Sequence, residues 1–207
     1  VVALPFALAV YVLMDFANAL RLGWENPRAA AQSEWIRLVP AIALGVALGA
    51  TLLVALPRRA GMIALGLFAL AFGVYGLARR AETRWRVGTR WAWLAGLAGG
   101  VTGTLFGAGG PPYAIYLSHR GLAQEAFRAT LAFATLTSIA LRLAAFVAVG
   151  TLRDPAVWLC AAAVVPAGLG GLAVARRLYG RLRGDAARRA VAAVLVASGL
   201  SLLARAA

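Results

Sequence analysis

Apolar residues fall in long blocks along this chain rather than in alternation. Residues 38–56, 61–78 and 155–175 carry no charged side chain. Each block is close to the ~20 residues an α-helix needs to cross a ~30 Å hydrocarbon core. In lipid every backbone polar group must be satisfied within the segment, so the blocks are expected as helices. The pattern predicts seven apolar elements, at 2–20, 36–56, 61–79, 91–107, 126–150, 155–175 and 187–205, and a shorter eighth at 111–119. The expected fold class is an all-α polytopic membrane protein. Trp24, Trp35, Trp85, Trp91 and Trp158 flank the run ends, where indole rings favour the headgroup level. Pro155 opens its run, as proline does in a first helical turn. Pro40 and Pro166 lie inside or near the starts of theirs, where a kink or tightening is expected.

The apolar pattern repeats. A shift of 126 residues aligns 39–80 with 165–206 without a gap, and 14 of 42 positions are identical. Among these are Val39/Val165, Pro40/Pro166, Gly45/Gly171, Gly73/Gly199 and Arg79/Arg205. Upstream, ALRL at 19–22 matches ALRL at 140–143 with a shift of 121. Coincident Pro, Gly and Arg are harder to attribute to chance than coincident Ala and Leu. Duplicated halves are a transporter feature, because two bundles must move about a central site.

Charge in the loops orients the halves. Arg79, Arg80, Arg84, Arg86 and Arg90 face only Glu82 in segment 79–90. Arg176, Arg177, Arg181, Arg183, Arg188 and Arg189 face only Asp185 in segment 176–189. The positive-inside bias places both segments in the cytoplasm. Run 187–205 then exits outward, 155–175 returns, and 126–150 exits again. Run 91–107 also starts inside, so an even number of passes must lie between residues 91 and 126. A hairpin is the simplest solution, with 91–107 entering and 111–119 returning. Segment 57–60 falls outside while its repeat mate 183–186 falls inside, so the halves are expected to be inverted. The domain expectation is an N-terminal transmembrane half at 1–80, a cytoplasmic linker at 81–90 and a C-terminal half at 91–207.

The hairpin segment, GLAGGVTGTLFGAGGPPYAIYLSHRGL at 96–122, is the most specific stretch. Gly99, Gly103 and Gly107 are spaced by four and form one bare helix face, which lets helices approach closely. Gly107, Gly109 and Gly110 then break the helix, and Pro111-Pro112 start another. The new half-helix would aim its N-terminus at the break, where free N–H groups and the positive dipole end suit an anion. A tight turn between packed helices is the plainer alternative. Beyond the backbone of Gly107, Gly109, Gly110 and Pro111, Tyr113 and Tyr116 could hydrogen-bond a ligand or pack. Thr102 and Thr104 could offer hydroxyls or bond back to their helix.

Ionisable groups in apolar runs add to the candidate site. Arg142 lies eight residues before Gly150, about 12 Å at ~1.5 Å per residue, near mid-bilayer. Such a group is costly there and is usually functional or paired. Asp15 is the only acid in the first run and is the candidate partner or a proton carrier. Asn18 sits about one turn further on. Arg128 and Thr130 begin the helix after the hairpin, where Arg128 can snorkel to the interface or bind substrate. Arg21, the repeat mate of Arg142, lies at a helix end, and His119 at the hairpin exit reads as a solvated loop residue.

Composition sharpens the class. Only 14% of the 207 residues are charged and mean hydropathy is +0.81, against about 25% charged in soluble domains. Net charge is +14, from 21 basic residues that are all arginine and 7 acids. In a soluble protein that balance would point to nucleic acid; here the arginines sit in loops, which points to topology and lipid headgroups instead. With one His, one Cys and no Lys, the chain lacks the paired acids, His/Cys cluster or Ser-Lys nucleophile an intramembrane enzyme would need. Cys160 is alone, so no internal disulfide can form. The chain begins Val-Val with no Met and no charged region before its first apolar run, so it reads as lacking a signal peptide and its own N-terminus.

FGAGGPPYAIYL, then FRAT at 127–130, then Arg142 with its following aromatic, resemble the C-terminal half of the sulfite exporter TauE/SafE family of membrane permeases. LPFALAVYVLMDFANALRLG at 4–23 resembles the corresponding N-terminal part of one branch. The likeness runs over nearly the whole chain, with the first glycine-rich hairpin expected upstream of Val1. The resemblance implies export or uptake of sulfite or organosulfur anions such as sulfonates, without a cofactor, in a bacterial inner membrane. The expected partners are a small anionic substrate, the lipid bilayer and a coupling proton or cation, with a homo-oligomer allowed and no nucleic acid. The alternative is a structural or assembly subunit that does not transport.

Overall fold

Each apolar block becomes a helix in the computed structural model, which describes residues 4–23, 27–78, 86–148, 150–179 and 184–206. Among these residues there are eight α-helices and no strand: α1 (Leu4–Gly23), α2 (Gln32–Ala55), α3 (Arg58–Ala78), α4 (Trp91–Phe106), α5 (Gly110–Ser118), α6 (Gln124–Ala148), α7 (Pro155–Tyr179) and α8 (Gly184–Ala206). Short 3-10 turns at Pro27–Ala29 and Thr151–Arg153 precede α2 and α7. Four spans, Gln32–Ala55, Arg59–Ala78, Gln124–Ala148 and Pro155–Val174, are long and apolar enough to cross a membrane. Pro40 and Pro166 lie inside α2 and α7, which run on through them. Trp24, Trp85 and the arginine-bearing segments 79–85 and 180–183 lie outside the described residues.

The chain forms two compact units, each drawing segments from both sequential halves. The first comprises 1–53 and 85–172, the second 54–84 and 173–207. In the first unit the hairpin is made by its small residues. Gly107 closes α4 with φ 71°, a left-handed conformation that costs glycine nothing. The Gly107 and Ala108 amides then bond back to the Gly103 and Thr102 carbonyls, 3.0 and 3.3 Å away, and satisfy two orphan acceptors of the helix end. Two residues later Gly110 opens α5, with Pro111 and Pro112 in its first turn. The legs run antiparallel and touch: Tyr113 lies on Gly99, and a methyl group at Gly103 would come within 3.3 Å of Gly109 Cα. Thr102 Oγ1, 2.8 Å from Ala98 O and 3.1 Å from Ala108 O, pins the bend.

Within the first unit α2 packs on the hairpin by the same rule of small residues. Helix α2 runs parallel to α4, with Ala41 against Gly96, Gly45 against Gly100 and Gly49 against Thr104. Leu38, Ile42 and Val46 of α2, Ala92 of α4 and Tyr113, Tyr116 and Leu117 of α5 form one buried cluster with Ala134 of α6. A second cluster joins Ala9, Val10, Val12 and Ala19 of α1 to Ile139 and Phe146 of α6 and Val157 of α7.

The second unit is a helix pair. Helices α3 and α8 pack along their lengths in antiparallel sense, because Gly66 meets Leu203 while Gly73 meets Val196. A methyl group at Gly73 would lie 2.7 Å from Val196 Cγ2 and 3.0 Å from Ala192 O. One at Gly199 would lie 2.8 Å from Gly66 O and 3.0 Å from Leu70 N. The contacts are reciprocal under the 126-residue shift, which carries Gly66 to Ala192, Leu70 to Val196 and Gly73 to Gly199.

Candidate functional site

Helix α6 places Thr135, Ser138, Ile139 and Arg142 at i, i+3, i+4 and i+7, one face of a 3.6-residue period. That face looks onto the break between α4 and α5. Arg142 is 3% exposed. One terminal nitrogen of its guanidinium donates to the Gly103 carbonyl, in the last turn of α4, where the negative end of the helix dipole favours a cation. The other, Nη2, donates to Asp15 Oδ2 of α1 at 3.0 Å. Its Nε is buried with no hydrogen-bond partner among the described groups.

Arg142 lines a small cavity of about 40 Å³, together with Asp15, Gly103, Gly107, Gly109, Gly110, Tyr113, Thr135, Ser138 and Ile139. A space of that size holds only a few water-sized groups. The Tyr113 hydroxyl donates to Ser138 Oγ at 3.2 Å and crosses from the half-helix to α6. The half-helix offers fewer donors than its position suggests. A helix start leaves four N–H groups without an internal partner, but Pro111 and Pro112 have none to give, leaving Gly109 and Gly110. These two glycines differ. A side chain on Gly109 would strike the Gly99 carbonyl at 2.7 Å, whereas one on Gly110 would meet nothing within 4 Å.

A second polar cluster ties the start of α2 to the far end of the hairpin. Glu34, 5% exposed, accepts from the Tyr116 hydroxyl at 2.5 Å, Arg120 Nη2 at 2.8 Å and Arg37 Nη1 at 3.2 Å. Arg120 Nη1 also donates to the Val87 carbonyl at 2.6 Å. The hydrogen bond to Glu34 raises the Arg120 pKa further above its already high value, so this loop cation stays charged. One turn into α6 the Thr130 hydroxyl accepts from the Ala31 amide at 2.9 Å and donates to the Ala126 carbonyl. The Trp35 indole donates to Thr137 at 3.0 Å.

The sequence model of the family described as Sulfite exporter TauE/SafE matches residues 1–202 of the chain. The chain belongs to that family. Searches of curated proteins and of solved structures returned no match.

Of the residues singled out from sequence, the fold brings Asp15, Gly107, Gly109, Gly110, Tyr113 and Arg142 to one cavity. Pro111, Tyr116, Thr130, Arg128 and Asn18 do not line it. Pro111 lies in the first turn of α5, Tyr116 bonds Glu34 of α2, Thr130 bonds the Ala31 amide just before α2, and Arg128 is exposed on the first turns of α6. Asn18 lies on α1 beside Gly168 of α7, with its Oδ1 buried and unpartnered. Thr102 and Thr104 bond back to their own helix, at Ala98 O and Gly100 O. Sequence reasoning missed Thr135, Ser138 and Ile139, although their spacing from Arg142 would have found them. It also missed Glu34, which reads as an ordinary acid in a helix's first turn. Among the described residues no group of three or more His, Cys, Asp or Glu could hold a metal.

Proposed function

We propose that this TauE/SafE protein is a secondary transporter of a small sulfur oxyanion, sulfite rather than a long-chain sulfonate, bound at the break between α4 and α5. The observation that carries the reading is Arg142: a guanidinium at the depth of an apolar helix, lining a cavity, with a donor nitrogen left over. Arginine presents its N–H groups in a planar fork that matches oxyanions. The Gly109 and Gly110 amides and the Ser138 and Thr135 hydroxyls add neutral donors around it, with Ser138 held by the Tyr113 hydroxyl. The cavity volume favours an anion of a few heavy atoms.

The wider architecture supports the same reading. At ~1.5 Å per residue α4 is about 24 Å long and α5 about 14 Å, so neither spans a ~30 Å core alone. A re-entrant hairpin entering from the cytoplasm accounts for both lengths. The reciprocal, antiparallel contact of α3 with α8 is what a two-fold axis in the membrane plane produces, and it supports inverted halves. With segments 79–90, 120–125 and 176–189 on the cytoplasmic side of a bacterial inner membrane, an impermeant thiol reagent applied to whole cells should spare Arg84→Cys and Arg183→Cys. Strong labelling of both would overturn the inverted arrangement.

The function itself is tested by counterflow. Proteoliposomes loaded with unlabelled sulfite should take up labelled sulfite well above protein-free vesicles, and competition should weaken as the sulfonate chain lengthens. Folded, inserted protein without exchange would return the chain to the alternative of a non-transporting subunit.

A further inference from the structure

One edge of the Arg142 guanidinium is only half used. In a guanidinium, Nε and Nη2 form the side-on edge, the pair of parallel donors that grips a carboxylate or oxyanion with two oxygens. Asp15 sits on Nη2 alone, at 3.0 Å, and leaves Nε without a partner. Arg142 is buried and Asp15 partly so: their side chains are 4% and 22% exposed. A substrate anion that takes the full edge must displace Asp15 from Nη2. Left ionised, the displaced carboxylate would face a second anion in a water-poor space, where like charges repel strongly. Among the described residues no second cation faces Asp15. The groups facing Asp15 are Arg142 from α6 and the Tyr11 hydroxyl, one turn earlier on α1, which hydrogen-bonds it. Tyr113 of α5 lines the same cavity. Helix α4 contains no ionisable residue, and α7 presents Gly168 to Met14 of α1.

We infer that Asp15 is the coupling group: its carboxylate holds half of the Arg142 fork when substrate is absent, and yields it to an incoming oxyanion by taking up one proton. The inference rests on the proposed transport of a small oxyanion through this cavity. The step is a balanced exchange. An O–H bond forms on Asp15 as the anion replaces it on Arg142. When the anion leaves, Arg142 recaptures the carboxylate and the proton departs to the same side. Each anion therefore crosses with one proton in the same direction. An empty carrier keeps the pair closed, and neither a lone proton nor a lone anion is carried.

Two measurements decide it. Wild-type proteoliposomes in a pH gradient should accumulate labelled sulfite toward the alkaline side, up to about tenfold per pH unit for one proton per anion. Sulfite itself titrates, so protein-free vesicles in the same gradient set the baseline. Asp15→Asn should continue sulfite counterflow at a reduced rate but lose the carrier-dependent accumulation, and Asp15→Glu should regain it. Accumulation by Asp15→Asn equal to wild type overturns the inference. So does loss of counterflow in a folded Asp15→Asn protein, which would make Asp15 a fixed counter-ion. The second measurement needs no variant. Sulfite pre-titrated to the same pH, added to weakly buffered wild-type protein in detergent, should draw protons from solution as it binds. Binding without proton uptake excludes the exchange. Absence of any wild-type counterflow would instead bring down the transport reading on which this one stands.

Discussion

The hairpin unit and the α3–α8 pair solve the same problem, packing helices closely in an apolar medium, with opposite chemistry. In the pair, glycines at 66, 73 and 199 let backbones meet and aliphatic side chains fill the gaps. In the hairpin unit glycines also bring backbones together, but they enclose polar groups. Every described buried polar or charged side chain, Glu34, Thr104, Thr130, Ser138 and Arg142, belongs to that unit. The difference teaches where a membrane protein can keep charge: beside a broken helix, whose loose carbonyls and amides compensate it, and not along a continuous one.

The sharpest way to break the comparison is to remove the charge. Arg142→Ala deletes the fork and strands Asp15. Truncating the charged partner of a bound ion costs about 2–5 kcal/mol of binding, so sulfite exchange should fall by roughly one to three orders of magnitude at about 1.4 kcal/mol per tenfold. Arg142→Lys should also be strongly impaired, since an ammonium lacks the paired donors. Arg128→Ala, exposed and away from the cavity, should stay within about twofold of wild type. Full exchange by Arg142→Ala would move the site elsewhere.

Valine scanning of glycines sharpens the contrast at a smaller scale. Gly73→Val and Gly199→Val overpack a tight interface and should cost about 1–3 kcal/mol of stability, with sulfite affinity of the folded fraction unaltered. Gly109→Val should destabilise too, because it strikes the opposite leg of the hairpin. Gly110→Val is expected to fold normally and yet lose binding, because its side chain has free space. Detergent thermal stability and a sulfite-induced shift, measured together, separate the four. A normal shift in Gly110→Val would remove the half-helix start from the site.

The smallest expected effects come from the hydroxyls. Tyr113→Phe and Ser138→Ala each lose one neutral hydrogen bond, worth about 1 kcal/mol, or roughly fivefold in affinity. Tyr116→Phe loses a shorter bond to the Glu34 carboxylate, 2.5 Å against 3.2 Å for Tyr113, and should lower melting temperature instead. Equal affinity losses at 113 and 116 would mean the two polar clusters act as one.

Much of this was legible because lipid leaves a sequence few options. Charge-free runs had to be helices, and their ends came within a few residues of those observed. The Gly-Pro-Pro break had to end one helix and start another. Arg142 needed a partner, and Asp15 was the only acid in an apolar run that could supply one. What periodicity could not reveal was which neighbour each face meets. Tyr113 and Tyr116 lie three residues apart on a short helix, yet one reaches Ser138 in the cavity and the other reaches Glu34. Gly109 and Gly110 are adjacent, yet one is wedged against a backbone and the other is open. These distinctions depend on the rotation of one helix against another, which a single chain's pattern of small residues does not encode.

Pro111 and Pro112 also bear on the parity of the proposed membrane topology. Residues 91–118 form a charge-free stretch of 28 residues, about 42 Å if wound into one helix at ~1.5 Å per residue, ample for a single tilted crossing. Such a helix would seat both prolines in its interior, at ~3 kcal/mol or more each, and the glycine turn ahead of them offers no compensation. The chain turns back here, with α5 antiparallel to α4, and in the proposed topology every helix after α5 then runs in the opposite sense from the one a single crossing would give it. Replacing two ring side chains with leucine would remove the obstacle, and the segment could then insert as one pass and reverse the orientation of everything synthesised after it.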